Sequence, residues 1–248
     1  MGLEYARQLA SQGNDLLIVS NQMEELPKVA AEIEGEYKVK VRHLYMDLAQ
    51  ADAAQQLLDY CKENSLEVEI LVNNAGMFFF KELTPQMCRK AAIMINLHVA
   101  TVTQMCILFG DEMKRRGHGR IINMCSMAAV LAMPGITIYN STKAYLLNFG
   151  KSFYYELKPY GVSVTTICPA AIATPLYNLK ESLMNFGVKI GVISTAKSLV
   201  RRALRASSHG RRIVRPGLMN IYLPVIINLL PKPVVALCWK KLKKGLDA

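Results

Sequence analysis

Ile70-Leu71-Val72-Asn73-Asn74-Ala75-Gly76 is the stretch that decides the fold. Three apolar residues run straight into a polar, glycine-bearing turn, the pattern of a short strand buried on both faces. The pattern recurs on either side. Upstream lie Leu16–Ser20 and Val39–Tyr45, the second leading to Met46 and Asp47; downstream lie Arg120–Met124 and Val162–Cys168. Helical stretches separate them: Leu3–Gln12, Glu24–Gly35, Ala51–Glu63, Pro85–Arg116 as one long or broken helix, and Asn140–Lys158. Leu3, Ala6, Leu9 and Ala10 fall on one face of the first, and Gly13 stops it. Apolar strands alternating with amphipathic helices give an α/β chain, its parallel sheet covered on both faces. Neither a composition break nor a linker precedes residue 176, so the reading is one domain.

Composition narrows the rest. The chain has 248 residues, 52% apolar and 20% charged, with a net charge of +11. That much apolar surface excludes disorder. The six cysteines include no CxxC pair and no His/Cys cluster of metal spacing, so most read as buried thiols and no metal is expected. Glu4 and Arg7 rule out a signal peptide, and no run of 18 uncharged apolar residues marks a membrane span. Residues 1–196 hold 18 basic and 18 acidic side chains, whereas residues 197–248 hold 12 basic residues and the single acid Asp247. The positive charge therefore belongs to the last fifth of the chain. No nucleic-acid-binding signature accompanies it, and no nucleic-acid partner is expected.

Ligands on such sheets bind at the carboxyl ends of strands. Four polar features fall there: the turn Asn73–Gly76, Asn96 in an apolar helix, Cys125-Ser126, and Tyr139-Asn140-Ser141-Thr142-Lys143. Tyr139 and Lys143, four apart, share one helix face. An ammonium beside a phenol favours phenolate, which makes Tyr139 a candidate general acid/base. Ser126 is a candidate donor to a carbonyl oxygen. His98, two residues past Asn96, reads as a packed or solvated helix histidine, and Cys125 as buried. Met77-Phe78-Phe79-Phe80 suits packing and a substrate wall equally.

With these residues in view, the sequence resembles the short-chain dehydrogenase/reductase family, nearest to its 17β-hydroxysteroid-dehydrogenase-like and 3-oxoacyl-reductase-like members. The family's NNAG turn stands intact at Asn73–Gly76. Its serine, followed thirteen positions later by Tyr-x-x-x-Lys, is Ser126, Tyr139 and Lys143. Its helix asparagine is Asn96, and its PG-x-x-x-T segment is Pro169–Thr174 with Ala170 in place of glycine. The likeness runs from residue 2 to about 176 and continues weakly to Gly217.

The resemblance implies a Rossmann-like doubly wound parallel sheet over residues 1–217, a substrate lid at 177–191 and a basic helical extension at 218–248. It implies that Lys143 binds the nicotinamide ribose and lowers the pKa of Tyr139, and that Ser126 holds the substrate oxygen. Asn96 would hold a water that extends a proton relay through Lys143. Cofactor contacts are expected from Gly2, Ser20, Asn21, Asp47, Leu48, Asn74, Ala75, Gly76, Tyr139, Lys143, Pro169, Ile172 and Thr174. Ser20 and Asn21 stand where NAD-preferring members place a carboxylate, which favours NADP and leaves NAD as the alternative. A small lipophilic substrate fits the apolar lid, and a homo-oligomer, dimer or tetramer, is expected.

The start departs from the family. Its opening strand and TGxxxGxG are absent, and Met1-Gly2 matches only the end of that motif. The expectation is a chain truncated there or begun at an internal methionine, with strand edges facing across a gap. That departure supports a second reading, a non-catalytic scaffold of the same fold. In the extension, apolar Ile221–Leu230 and Val234–Trp239 precede Lys240-Lys241-Leu242-Lys243-Lys244. This suits peripheral contact with an anionic membrane from the cytoplasm, or a helix closing the pocket or a dimer face.

Overall fold

The computed structural model describes residues 1–170, 172, 194–217, 219–231, 233–237, 239 and 240. Six parallel strands carry the architecture: β1 (Leu16–Ser20), β2 (Val41–Tyr45), β3 (Ile70–Asn73), β4 (Gly119–Met124), β5 (Val162–Ile167) and β6 (Ile213–Val214). Between and after them run α1 (Gly2–Ala10), α2 (Leu26–Tyr37), α3 (Ala53–Glu63), α4 (Cys88–Ile95), α5 (Thr101–Arg116), α6 (Thr137–Leu157), α7 (Ala196–Ser208) and α8 (Met219–Leu229).

The strands fall into two sheets among the described residues. β1 pairs only with β2, Leu16 opposite Val41, and β3-β4-β5-β6 form the other sheet. The parting lies between β1 and β3, where the sequence leads one to expect strand edges facing across a gap. In the larger sheet Asn73 stands opposite Asn123 and Met124 opposite Ile167, so β3, β4 and β5 end level. That register brings their carboxyl-terminal turns together.

The main core lies on one face of this sheet. α5 contributes Val102, Met105, Cys106, Phe109 and Met113, at helical spacing, against Leu71, Ile121 and Val164. Each such buried side chain contributes roughly 1.5–3 kcal/mol. α3 and α6 complete the layer through Leu57, Leu58, Leu146 and Phe153. On the other face Tyr5 and Leu9 of α1 meet Leu199, Val200 and Ala203 of α7 over Ile122 and Ile167. Around β1–β2 the cluster is smaller: Ala6, Ala10, Ala30, Ile33 and Val41.

Pro85–Arg116 is continuous and long and apolar enough to cross a membrane by length and composition. One face of it is core, since Met94, His98, Met105, Cys106 and Met113 are buried in the protein. It contains a π turn at Asn96–Ala100. α7 was not foreseen, although Leu199, Val200, Ala203 and Leu204 sit at helical spacing and Thr195 caps it, accepting from the Ser198 N–H at 3.2 Å. Arg201, Arg202 and Arg205 lie on this helix, so part of the basic excess belongs to a body helix rather than to the extension.

Candidate active site at the carboxyl ends of the strands

Ser126 lies two residues beyond β4 and caps the 3-10 turn Met127–Val130, its Oγ accepting from the Ala128 N–H at 3.1 Å. The hydroxyl proton takes part in no hydrogen bond among the described residues and is free to donate to an incoming oxygen. α6 starts at Thr137, which places Tyr139 and Lys143 on its inner face just above the same strand end. Ser126 and Tyr139 are each 7% exposed and Lys143 is 6% exposed.

The Lys143 ammonium donates to the Met124 carbonyl at 2.9 Å and lies 5.6 Å from the centre of the Tyr139 ring. Burial holds this ammonium far below the ordinary lysine range, at about 8. The Cys125 thiol donates to the Lys143 carbonyl at 3.1 Å and is buried, as the sequence suggested. The strand end, the cysteine after it and the helix are thus tied together around the lysine.

Asn96 opens the π turn, and its amide nitrogen donates to the Ala49 carbonyl. It makes no direct hydrogen bond to Lys143 among the described residues. Thr101 donates to the Leu48 carbonyl at 2.7 Å, and Asp47 accepts from the Ala49 N–H at 3.0 Å. Asn96 and Thr101 therefore fasten the Asp47–Ala49 turn to the long helix. Sequence reasoning also missed His98 as a structural joint. It is buried and accepts from the Met77 N–H just past Gly76, a link invisible until β3 and α5 are brought together.

The described residues among those expected to touch a cofactor fall at strand ends and helix starts. A Cβ on Gly2, at the start of α1, would stand 3.0 Å from the end of the Asn74 side chain, so the helix start and the β3 turn lie close together. Ala75 and Gly76 are exposed on that turn. Ser20 ends β1, its Oγ accepting from the Gln22 N–H at 3.2 Å, and Asn21 is exposed beside it. Pro169 follows β5, and its carbonyl accepts from the Met127 N–H at 2.8 Å. Ile172 is buried and bridges to Ser194. Thr174 and the expected lid at 177–191 lie outside the described residues.

An apolar wall adjoins Tyr139. Met77, Phe78, Phe79, Phe80 and Met133 pack around Met94, Ala128, Ile136 and Tyr139. The Phe78 ring meets the Tyr139 ring edge-on at 5.1 Å. Gly135, at φ +83°, leaves room for the rings of Phe80 and Trp239, each of which would come within 2.9 Å of a Cβ there. Asn228 of α8 donates to the Val130 carbonyl at 3.0 Å, so the extension reaches the turn that Ser126 caps.

The sequence profile described as short chain dehydrogenase matches residues 1–183. A zebrafish (Danio rerio) protein named very-long-chain 3-oxoacyl-CoA reductase-A is 30% identical over 75% of this chain and 59% of its own length. Its human (Homo sapiens) namesake is 28% identical over 99% of this chain and 80% of its own length. Chicken (Gallus gallus) hydroxysteroid dehydrogenase-like protein 1 is 31% identical, over 70% of this chain and 53% of its length. Among solved structures, a 7β-hydroxysteroid dehydrogenase superposes with a TM-score of 0.80 at 23% identity, covering 91% of this chain and 86% of its own. A short-chain dehydrogenase from Sphingobium yanoikuyae in complex with NADPH superposes at 0.76 with 24% identity, covering 92% and 91%. Both structures share its fold.

Proposed function

This chain belongs to the short-chain dehydrogenase family, and from that premise we propose that it is an NADPH-preferring reductase of lipophilic ketones, working in reverse on the matching secondary alcohols. The observation that carries the reading is the burial of Ser126, Tyr139 and Lys143 together at one strand end, with Lys143 anchored on Met124. A cation is costly to bury, and one held beside a tyrosine above a parallel sheet is suited to acid–base work.

In reduction Tyr139 gives its phenolic proton to the substrate oxygen while Ser126 donates a hydrogen bond to the same atom. Lys143 offsets the negative charge left on the phenol oxygen. A nicotinamide nucleotide bound at the site supplies the hydride. In oxidation Tyr139 takes the proton back. The close approach of Gly2 to Asn74 supports such a cradle. Gly2, Asn74, Ala75 and Gly76 would hold the nucleotide, Asp47 and Leu48 its adenine side, and Lys143, Pro169, Ile172 and Thr174 its nicotinamide side. Ser20 and Asn21 place no carboxylate against a 2′-phosphate, which supports NADPH over NADH.

The substrate class follows from the wall. Phenylalanine and methionine side chains beside Tyr139 favour an alkyl chain or steroid skeleton over a polar substrate. The names of the relatives agree: a 3-oxoacyl thioester or a hydroxysteroid ketone. The test is NADPH consumption by the purified protein with long-chain 3-oxoacyl thioesters and steroid ketones. Turnover with these and not with short polar ketones is expected; turnover with none would overturn the reading. The alternative is a non-catalytic scaffold of the same fold, which a failure to bind NADPH at all would support.

The extension supplies a membrane contact in this reading. α8 exposes Tyr222, Val225, Ile226 and Leu229, at helical spacing, and four lysines cluster at 240–244. An apolar stripe next to a basic cluster suits an anionic bilayer surface on the cytoplasmic side. Ile107 on α5 and Tyr145 on α6 are also exposed, which supports self-association through those helices.

A further inference from the structure

His98 sits in the π turn Asn96–Ala100, and π turns within helices recur at functional sites because they redirect a side chain without ending the helix. The imidazole is 1% exposed. Its two nitrogens have different neighbours, and these fix where the proton sits. The Met77 N–H points at Nε2 from 3.0 Å; a backbone amide can only donate, so Nε2 carries no proton. The proton is therefore on Nδ1, 3.1 Å from the Thr142 Oγ1. Thr142 spends its own proton on the Tyr139 carbonyl at 2.9 Å, which leaves a lone pair to accept from Nδ1. Every donor in the chain Met77, His98, Thr142, Tyr139 has one acceptor. Burial and the charge of Lys143 keep the ring neutral, its pKa pushed down to about 2. The ring also meets the Tyr139 ring edge-on at 5.9 Å, and a Cβ on Gly76 would stand 3.1 Å from Nε2.

We propose that His98 is a positioning residue, a single-tautomer strut that sets the spacing between the Gly76–Met77 turn and the face of α6 that carries Tyr139 and Lys143. The inference rests on the reading of that turn as cofactor-binding and of Tyr139 as acid/base. The strut needs an acceptor at one end, a donor at the other, and a rigid link between. Imidazole supplies all three. Glutamine supplies the two ends on a flexible link, and leucine supplies only volume. Small errors in spacing matter, because a displacement of about 1 Å can cost on the order of a hundredfold in rate.

The experiment compares His98→Leu with His98→Gln, and Thr142→Val with Thr142→Ser. Three quantities are read: kcat and KM with the best ketone, the Kd of NADPH from its fluorescence, and hydrogen exchange at the Met77 amide. His98→Leu is expected to lower kcat about a hundredfold, weaken NADPH several-fold and unprotect Met77, with the ketone KM little changed. His98→Gln is expected to restore Met77 protection and at least a tenth of the wild-type kcat. If His98→Leu does not fold, the threonine pair decides: Thr142→Ser, which keeps the hydroxyl, should hold near-wild-type kcat while Thr142→Val loses about tenfold. Equal kcat and equal Met77 protection for leucine and glutamine, or equal kcat for valine and serine, would overturn the proposal. If wild type turns over no ketone, the proposed reaction fails, yet Met77 exchange in the leucine and glutamine variants still tests the strut.

Discussion

The two sheets hold their functional side chains in different ways. In the β3–β6 half, Ser126, Tyr139 and Lys143 are buried over a core drawn from α3, α5 and α6, and each backbone anchor is a strand end or a helix face. In the β1–β2 half, Ser20 is half-buried, Asn21 is exposed, and five buried residues make the local core. The chemistry is pre-set by packing, while Ser20 and Asn21 on the nucleotide side are more open to solvent. Damage to the first half should therefore appear in kcat, and damage to the second in cofactor affinity.

Lys143→Met should have the largest effect. It removes the cation beside Tyr139 and should lower kcat by about 10²–10⁴-fold, read from steady-state NADPH consumption. A fall confined to the NADPH KM would erase the distinction between the halves. The pH profile sharpens it. Lys143 loses its proton in the folded protein at about 8, so reduction should decline as pH rises through that value. Lys143→Arg keeps its charge and should move the decline upward.

Stability should run the other way. Unfolded lysine holds its proton to about 10.4, so below about 8 both states are protonated and the burial penalty is present in full. Between these values unfolding takes up a proton, and raising the pH stabilises the fold. The gain is on the order of 3 kcal/mol, seen as a melting midpoint that rises with pH in wild type but stays flat in Lys143→Met.

Ser20→Asp acts in the other half. Its carboxylate should repel a 2′-phosphate, raise the NADPH KM roughly tenfold and leave kcat within about twofold. The cores separate by a smaller margin. Ile121→Ala should cost about 3–5 kcal/mol and Ile33→Ala about 2–3 kcal/mol by denaturant unfolding, because the smaller cluster relaxes more readily. Amides of β1–β2 should exchange faster than those of β4–β5. Leu229→Ser, on the exposed stripe of α8, should change stability by under about 0.5 kcal/mol. It should nonetheless reduce sedimentation with anionic liposomes.

Much of this was legible in the sequence because strands and helices announce themselves by period. Leu16–Ser20 is a strand as read, and the other strands shift by no more than two residues. Ser126, Tyr139 and Lys143 were readable because helix spacing and strand-end position place them without tertiary knowledge. What escaped depends on contacts between distant segments. The tautomer of His98 is set by Met77 and Thr142, and no local pattern joins the three. The amide of Asn96 turns toward Ala49, 47 residues away in sequence. The π turn sits in a helix whose residues carry no sign of it. α7 was overlooked because its arginines read as part of a basic tail, whereas they form the solvent face of a helix whose other face is core.

The most direct measurement is of Tyr139→Phe, which removes one oxygen and keeps the ring packed against Phe78 and His98. Turnover of the best ketone and the Kd of NADPH are measured on the same preparation. Loss of turnover by about a thousandfold or more, with the NADPH Kd within about twofold of wild type, is the expected result. Ketone reduction at near-wild-type rate by the phenylalanine variant would contradict the assignment of Tyr139 as the acid.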